Sequence, residues 1–457
     1  GFHSCPALST LTPATWATIM VHRPLRLALL RSVLRQFLAW SLLASVCAGQ
    51  QPATMPPALR AKVFEQVWTL IAEKYYDANF NGVDWKAVHD RYRPRLAQVR
   101  SDAEFYTLLR QMTGELHDAH TRFHSPEEQR RGNSLQSVDP GLSVGELDGR
   151  PVVLSVEPGS EAEHAGIEPG MVLNTIDGKP VALQLEHASK AVGYSSTGRA
   201  TTLLSYYWLI SGEANTSVRI GFIRPDGTAF DTNLTRRVFS HNLSVMPKLL
   251  PSGYTYLRLR SFDDDTVKQL KEALNRYKSA PGVILDLRGN TGGDFRTVLS
   301  SADYFFPEKV SFGKIVARSG KKPSLILRML GIPADLNVGN LGESAYTGPV
   351  VILVNEGSAS GAELFAAGMQ ENGRAAVIGR QTCGCLLANI HHTLKDGSEL
   401  DISEYNVLTA KGHRLEGTGV IPDVDVPLTI EDLRDRHDAA LRQAVAILHT
   451  SSKRADP

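Results

Sequence analysis

Val350-Val351-Ile352-Leu353-Val354-Asn355-Glu356-Gly357-Ser358-Ala359-Ser360-Gly361-Ala362-Glu363-Leu364-Phe365 decides the fold. An unbroken run of β-favouring apolar residues predicts a strand buried on both faces. The small residues from Gly357 to Gly361 permit a sharp turn, and Ala362 to Phe365 opens a helix. A serine at that junction sits where unpaired N–H groups and the helix dipole favour a developing negative charge. Ser360 is therefore the candidate nucleophile, with Ser358 as its rival.

Outward from this stretch, residues 245–430 read as one α/β unit. Tyr254 to Leu259, Val283 to Leu287 and Ala375 to Gly379 are further strands. Thr266 to Tyr277 is a helix, and Ile430 to Leu448 is a single terminal helix leading to the end of the chain (431–457). Asp286-Leu287-Arg288-Gly289-Asn290-Thr291-Gly292-Gly293 leaves a strand as a glycine-rich turn, through which backbone N–H groups approach a ligand closely. Gly361 and either Gly292 or Gly293 are thus candidate oxyanion donors. Asp286 and Arg288 read as a charged pair that fixes the turn, and Asp263, Asp264 and Asp265 as a solvated helix start.

Residues 136–236 differ in character. Val152 to Val156 is a strand, Glu161 to Ala165 a short helix, and Asp177-Gly178 a hairpin signal after Met171 to Ile176. Residues 55–130 read as helices, with Val63, Val67, Leu70 and Ile71, then Phe105, Leu108, Leu109 and Met112, at helical spacing. From Met20, arginines precede an apolar stretch from Phe37 to Val46 and then small residues. Residues 1–48 are accordingly expected to be an upstream extension and a signal peptide, directing the chain to a bacterial periplasm or outside the cell. The apolar stretch is short for a spanning helix, so no stable membrane span is expected once the leader is removed; a retained anchor is the alternative.

The whole chain of 457 residues carries a net charge of +1, with 42% apolar and 21% charged residues. That balance gives no case for nucleic acid as a partner. Beyond the leader only Cys383 and Cys385 remain; a Cys-x-Cys pair is constrained against a relaxed disulfide, and both are read first as free, small apolar fillers, with Cys385 as a nucleophile or the two as redox-sensitive thiols as the alternatives. His117, His120 and His124 would share a face only on a continuous helix, and Thr121-Arg122-Phe123 reads as the helix exit. No metal and no cofactor is expected.

Taken together, Leu116-His117-Asp118-Ala119-His120-Thr121, the region around 136–236, Asp286 to Gly293, Ser358 to Glu363, Gly379 to Cys385, and Glu416-Gly417-Thr418-Gly419-Val420-Ile421-Pro422-Asp423 occur in one order. In that order they resemble the carboxy-terminal processing protease and tricorn-type serine peptidase superfamily over roughly residues 60–430. The resemblance implies an α/β protease core of crotonase-like βα layers, a PDZ-like β-rich domain and an N-terminal helical region. In the PDZ-like domain Gly141-Leu142-Ser143-Val144 would be the loop receiving a peptide terminus. The substrate implied is a peptide or unfolded protein, with its C-terminus as the handle. The processing-protease branch uses a serine–lysine dyad, but Cys385 aligns with the lysine and Asn389 with its supporting glutamine. The tricorn-like branch uses serine, histidine and glutamate, which map onto Ser360, His120 and Glu416. Histidine suits a serine as base, and a carboxylate orients the ring. An exported Ser-His-Glu endopeptidase is therefore expected. The alternative is a catalytically silent carrier of apolar ligands or peptides, similar to the interphotoreceptor retinoid-binding protein modules.

Overall fold

The computed structural model describes residues 54–131, 137–193, 195–239, 243–325 and 333–455. The expected leader, residues 1–48, lies outside them. Among the described residues no helix is long and apolar enough to cross a membrane.

Three helices open the described chain: Pro57–Lys74, Trp85–Tyr92 and Asp102–Gly114. The third starts where Ser101 Oγ accepts from the Glu104 N–H at 3.2 Å, with Asp102 and Glu104 in the first turn favoured by the dipole. It buries Phe105, Leu108, Leu109 and Met112, one apolar stripe at helical spacing.

The β-rich region is an antiparallel sheet in the order Leu142–Leu147, Arg150–Val156, Val172–Ile176, Ser217–Ile223, Ala229–Thr235. Asp177 and Gly178 both take positive φ, 49° and 75°, which is the turn that twists two strands into a hairpin. The long segment after it forms two helices, Val181–Val192 and Gly198–Ile210.

The core sheet runs Val245–Leu249, Thr255–Leu259, Val283–Asp286, Val350–Val354, Ala376–Gly379, Val424–Asp425. Its first pair is antiparallel and the rest are parallel. Side chains alternate between faces along a strand. Hence Val283, Leu285, Val350, Ile352 and Val354 pack with the helices Thr266–Arg276, Phe295–Asp303 and Gly361–Glu371. Ile284, Val351, Leu353 and Ile378 face the opposite way, onto Ala440, Ala444 and Leu448 of a C-terminal helix.

Two features depart from the sequence reading. The terminal helix is two, Ile430–Arg434 and Ala439–Ala455. Arg436 takes a φ of 54° at the break, and Asp438 restarts the helix by accepting from the Leu441 N–H at 2.9 Å. Asp438 also grips Arg288 through both carboxylate oxygens, at 2.9 and 2.8 Å, which extends the Asp286–Arg288 pair into a three-residue clamp. The second departure is an additional antiparallel sheet of five strands: Arg122–His124, Leu387–Thr393, Glu399–Thr409, Val310–Ala317 and Asp335–Val338. The stretch Thr121-Arg122-Phe123, read as a helix exit, is the start of this sheet. The serine helix Gly361–Glu371 lies against it so closely that a Cβ on Gly368 would come within 2.2 Å of the Phe312 ring.

Candidate active site

All five residues of Val350–Val354 are buried, and the strand ends in a turn tied from several sides. Asn355 Oδ1 accepts from the N–H groups of Gly289 and Gly357, at 2.9 and 3.1 Å. Ser358 Oγ donates to the Leu287 carbonyl at 2.7 Å and accepts from the Asn355 N–H at 3.1 Å. Fully buried and engaged on both sides, Ser358 staples the turn and is removed as a rival nucleophile.

Ser360 follows with φ 52° and ψ −118°. A non-glycine residue there is strained by roughly 1–3 kcal/mol, a cost met only where the surroundings dictate the conformation. Here they do. The Ser360 N–H donates to Glu363 Oε2 and to the Cys385 carbonyl, each at 3.0 Å. Glu363, one turn into the helix, is buried and accepts further bonds from Thr382 Oγ1 (2.5 Å), Gly384 N–H (2.7 Å) and Cys385 N–H (2.8 Å). Burial pushes its carboxyl up, against the pull of those donors. The sequence reading gave Glu363 no part; its signal was the Ser-x-x-Glu spacing of a helix start.

Ser360 Oγ lies 3.2 Å from His120 Nε2. His120 rides on the turn between Asp102–Gly114 and Arg122–His124. Its N–H donates to Asp118 Oδ1 at 2.8 Å, while Asp118 Oδ2 accepts from Thr121 Oγ1 at 2.5 Å. Burial holds the imidazole below its ordinary value, with Asp118 pulling the other way. A neutral ring accepting from Ser360 carries its proton on Nδ1, and that buried atom has no hydrogen-bond partner among the described residues.

Glu416 does not bond His120 directly. Its Oε2 accepts from the Leu386 N–H at 2.8 Å, and Ser196 bonds it as well. Ser196 Oγ in turn accepts from the Ala119 N–H at 2.9 Å, so glutamate and histidine are joined through the Ser196 hydroxyl and the backbone beside His120. Burial first, then the Asp118 charge, push Glu416 up to about 8, opposed by Ser196 and the Leu386 N–H. Ser196 went unnoticed in the sequence because it arrives from the β-rich region.

The three glycines converge on Ser360. A Cβ on Gly292 would lie 2.6 Å from the Gly361 nitrogen and 2.9 Å from Ser360 Cβ; one on Gly361 would lie 3.3 Å from the Gly293 nitrogen. The Gly292 N–H is already given to Asn290 Oδ1 at 2.8 Å. Gly292→Ala is expected to cut kcat/KM by roughly 10²–10³, the loss typical of a displaced oxyanion donor. Gly289→Ala is the control, since φ is also positive there (73°) but a Cβ meets open space. Equal activity losses in steady-state assays of the two variants would sink this reading.

A cavity of 240 Å³ opens beside the serine, lined by His120, Ser360, Thr291, Leu203, Leu204 and the two cysteines, among others. Cys383 and Cys385 are joined as a disulfide, with Cα atoms 5.3 Å apart, which corrects the expectation of free thiols. Gly384, at φ 76°, folds the chain so that the flanking side chains meet. The pair still packs as filler, against Ala119, Ala200 and Ala359. Gly141-Leu142-Ser143-Val144 lies apart, at the start of the edge strand Leu142–Leu147 of the β-rich sheet. There the Gly141 N–H is taken by Asp139 Oδ1 at 2.7 Å.

Residues 253–426 match the family model described as peptidase family S41, and residues 56–114 match that of the tricorn protease C1 domain. A carboxyl-terminal-processing protease of Synechocystis sp. is 29% identical over 448 residues, covering 91% of this chain and 95% of that protein. The chloroplastic carboxyl-terminal-processing peptidase 3 of Arabidopsis thaliana is 26% identical over 378 residues, covering 79% and 67%. Among solved structures, a photosystem II D1 C-terminal processing protease aligns with a TM-score of 0.56 at 25% identity, over 83% of this chain and 98% of that one. Mature CPAF shares the fold, with a TM-score of 0.64 at 15% identity, over 87% and 97%. The chain thus carries a peptidase family S41 domain and a tricorn protease C1 domain, and its homologues are carboxyl-terminal processing proteases, which supports a serine-type peptidase.

Proposed function

We propose that this chain is an exported serine endopeptidase that hydrolyses peptide bonds through an acyl-enzyme, with Ser360, His120 and Glu416 in place of a serine–lysine dyad. The observation that carries this reading is the 3.2 Å approach of Ser360 Oγ to His120 Nε2. The imidazole takes the hydroxyl proton as Oγ attacks the peptide carbonyl, then delivers it to the leaving amine. Gly361 and Gly293 N–H groups hold the oxyanion, since the Gly292 N–H is committed to Asn290. Water, deprotonated by the same ring, releases the acyl group. Glu416 orients and stabilises the imidazolium at one remove, across Ser196. Support for export is the leader read from Met20.

The β-rich region, in this proposal, is a PDZ-like module. Its edge strand Leu142–Leu147 accepts an extended peptide end by strand addition. Helix Gly198–Ile210 sends Leu203 and Leu204 into the serine cavity and Arg199 to the carbonyls of Thr382 and Thr418, so module and active site share a wall.

The raised Glu416 gives a test. Its ionised form supports an imidazolium, so kcat/KM should rise with pH through a limb near 8. Glu416→Gln should remove that limb and cost less than the roughly 10⁴-fold of a directly bonded acid. A limb that persists in the glutamine variant would refute the assignment. Stability runs oppositely. A folded-state value of about 8 against an ordinary 4.5 means the native state binds more protons than the unfolded one between those pH values. The contribution is complete below 4.5 and lost as pH rises through 8, and Tm profiles of wild type and Glu416→Gln should diverge accordingly.

A further inference from the structure

We infer that the antiparallel sheet beside the active site carries a binding site for a divalent transition-metal ion, zinc foremost, built from His124, His391, Glu399 and Asp401. None of these four takes part in the proposed peptidase chemistry, so the inference stands independently of it.

Three adjacent strands assemble the site. In the strand Glu399–Thr409, Glu399 and Asp401 point to one face because side chains alternate. On one flank Asp401 pairs with His391; on the other Glu399 pairs with His124. Directly paired residues share a face, so His391 converges with the two carboxylates, and His124 reaches them through Asp401. His391 Nδ1 bonds Asp401 Oδ1 and lies 2.9 Å from Glu399 Oε1, while His124 Nε2 lies 3.1 Å from Asp401 Oδ2. Ligand atoms of His391, Glu399 and Asp401 all fall within 4.8 Å of one another. Metal–ligand bonds near 2.0–2.2 Å in a tetrahedron place ligand atoms about 3.3–3.5 Å apart, so His391, Glu399 and Asp401 need only small movements, while His124, beside Asp401, must swing further to become the fourth ligand. Imidazole and carboxylate together suit zinc rather than calcium or magnesium.

Two further observations fit a ligand site. Gln129 Nε2 donates to the outer oxygen of Glu399 at 2.7 Å, the orienting bond that metal-binding carboxylates commonly receive. Asp401 is buried while His391 is exposed, so the ion has both an anchor and a way in. Arg122, also paired with Asp401, is the competing cation; its guanidinium turns back to the Ala119 carbonyl at 2.5 Å. An ion here would tie the strand that follows His120 to the sheet, clipping the base in place.

The expectation of no metal weighed His117, His120 and His124 as one helical face. The fold instead sends His120 to the serine and His124 to Asp401.

The test is calorimetric titration of the untagged, chelator-treated full chain with zinc chloride. One saturable equivalent is expected, with a rise in Tm and, on cobalt substitution, the visible absorption of a tetrahedral site. His391→Ala and His124→Ala should each weaken binding by at least ~10-fold, and Gln129→Ala by up to ~10-fold. Circular dichroism checks that each variant folds; Glu399→Gln serves if a histidine variant does not. No saturable binding, or binding unchanged in both His391→Ala and Glu399→Gln, overturns the site and leaves a histidine–carboxylate ion-pair network.

Discussion

Ser360→Ala is expected to abolish covalent labelling by a fluorophosphonate and to lower kcat by roughly 10⁶-fold, the loss typical when a serine nucleophile is removed. His120→Ala should lose nearly as much, because the two act as one unit and their effects do not add. The geometry behind this is the 3.2 Å contact and the strained backbone that projects the hydroxyl into the cavity. Cys385→Ala, at the position aligned with the dyad lysine, should retain labelling. Intact-mass analysis of the three variants separates the readings. Labelling that survives Ser360→Ala, or vanishes only in Cys385→Ala, would dismiss the proposed nucleophile. A wild type that resists labelling with and without peptide, yet binds an apolar ligand saturably, would instead be the silent carrier.

Glu363→Gln should be the most damaging change to the fold around the site. One buried carboxylate receives the donors of Ser360, Thr382, Gly384 and Cys385. An amide turns one acceptor oxygen into an NH₂ group that faces donors rather than acceptors. Leaving buried donors unmade costs about 1–3 kcal/mol each, so a loss of about 4 kcal/mol is expected in urea unfolding. Ser360 would lose a bond that holds it at positive φ, and fluorophosphonate labelling should fall with it. A variant as stable and as reactive as wild type would show that the network does not hold the serine. Thr382→Val, which removes one donor and leaves three, should cost less in both measurements.

Much of the core was legible because burial on two faces leaves a plain mark. The apolar runs at Val283 and Val350 could be little other than central strands, and the glycines around Ser360 could be little other than close turns. The break before Ala439 was not legible, since Asp438 restarts a helix by capping it and by gripping Arg288 far away in the chain. The five-stranded sheet was missed for a related reason. Its strands are short or half-polar, and pairing across long separations leaves no local period. The disulfide needed Gly384 at positive φ, which spacing alone does not reveal.

By itself the sequence determined the strand–turn–helix that presents Ser360, the glycine-lined turn opposite it, and the order of motifs that carries the resemblance to the processing proteases. These are local properties, set by apolar runs, small residues and helix-start chemistry over a few positions. The resemblance had already singled out His120, but only the tertiary structure brought it to the serine, 240 residues away in the chain. It also decided that Ser196 bridges to Glu416, and that Glu363 holds the turn. Those contacts depend on strand register. Pairing Arg122–His124 against Glu399–Asp401 sets the turn that carries His120, and sliding that register by one residue would turn the side chains of Arg122 and His124 to the opposite face.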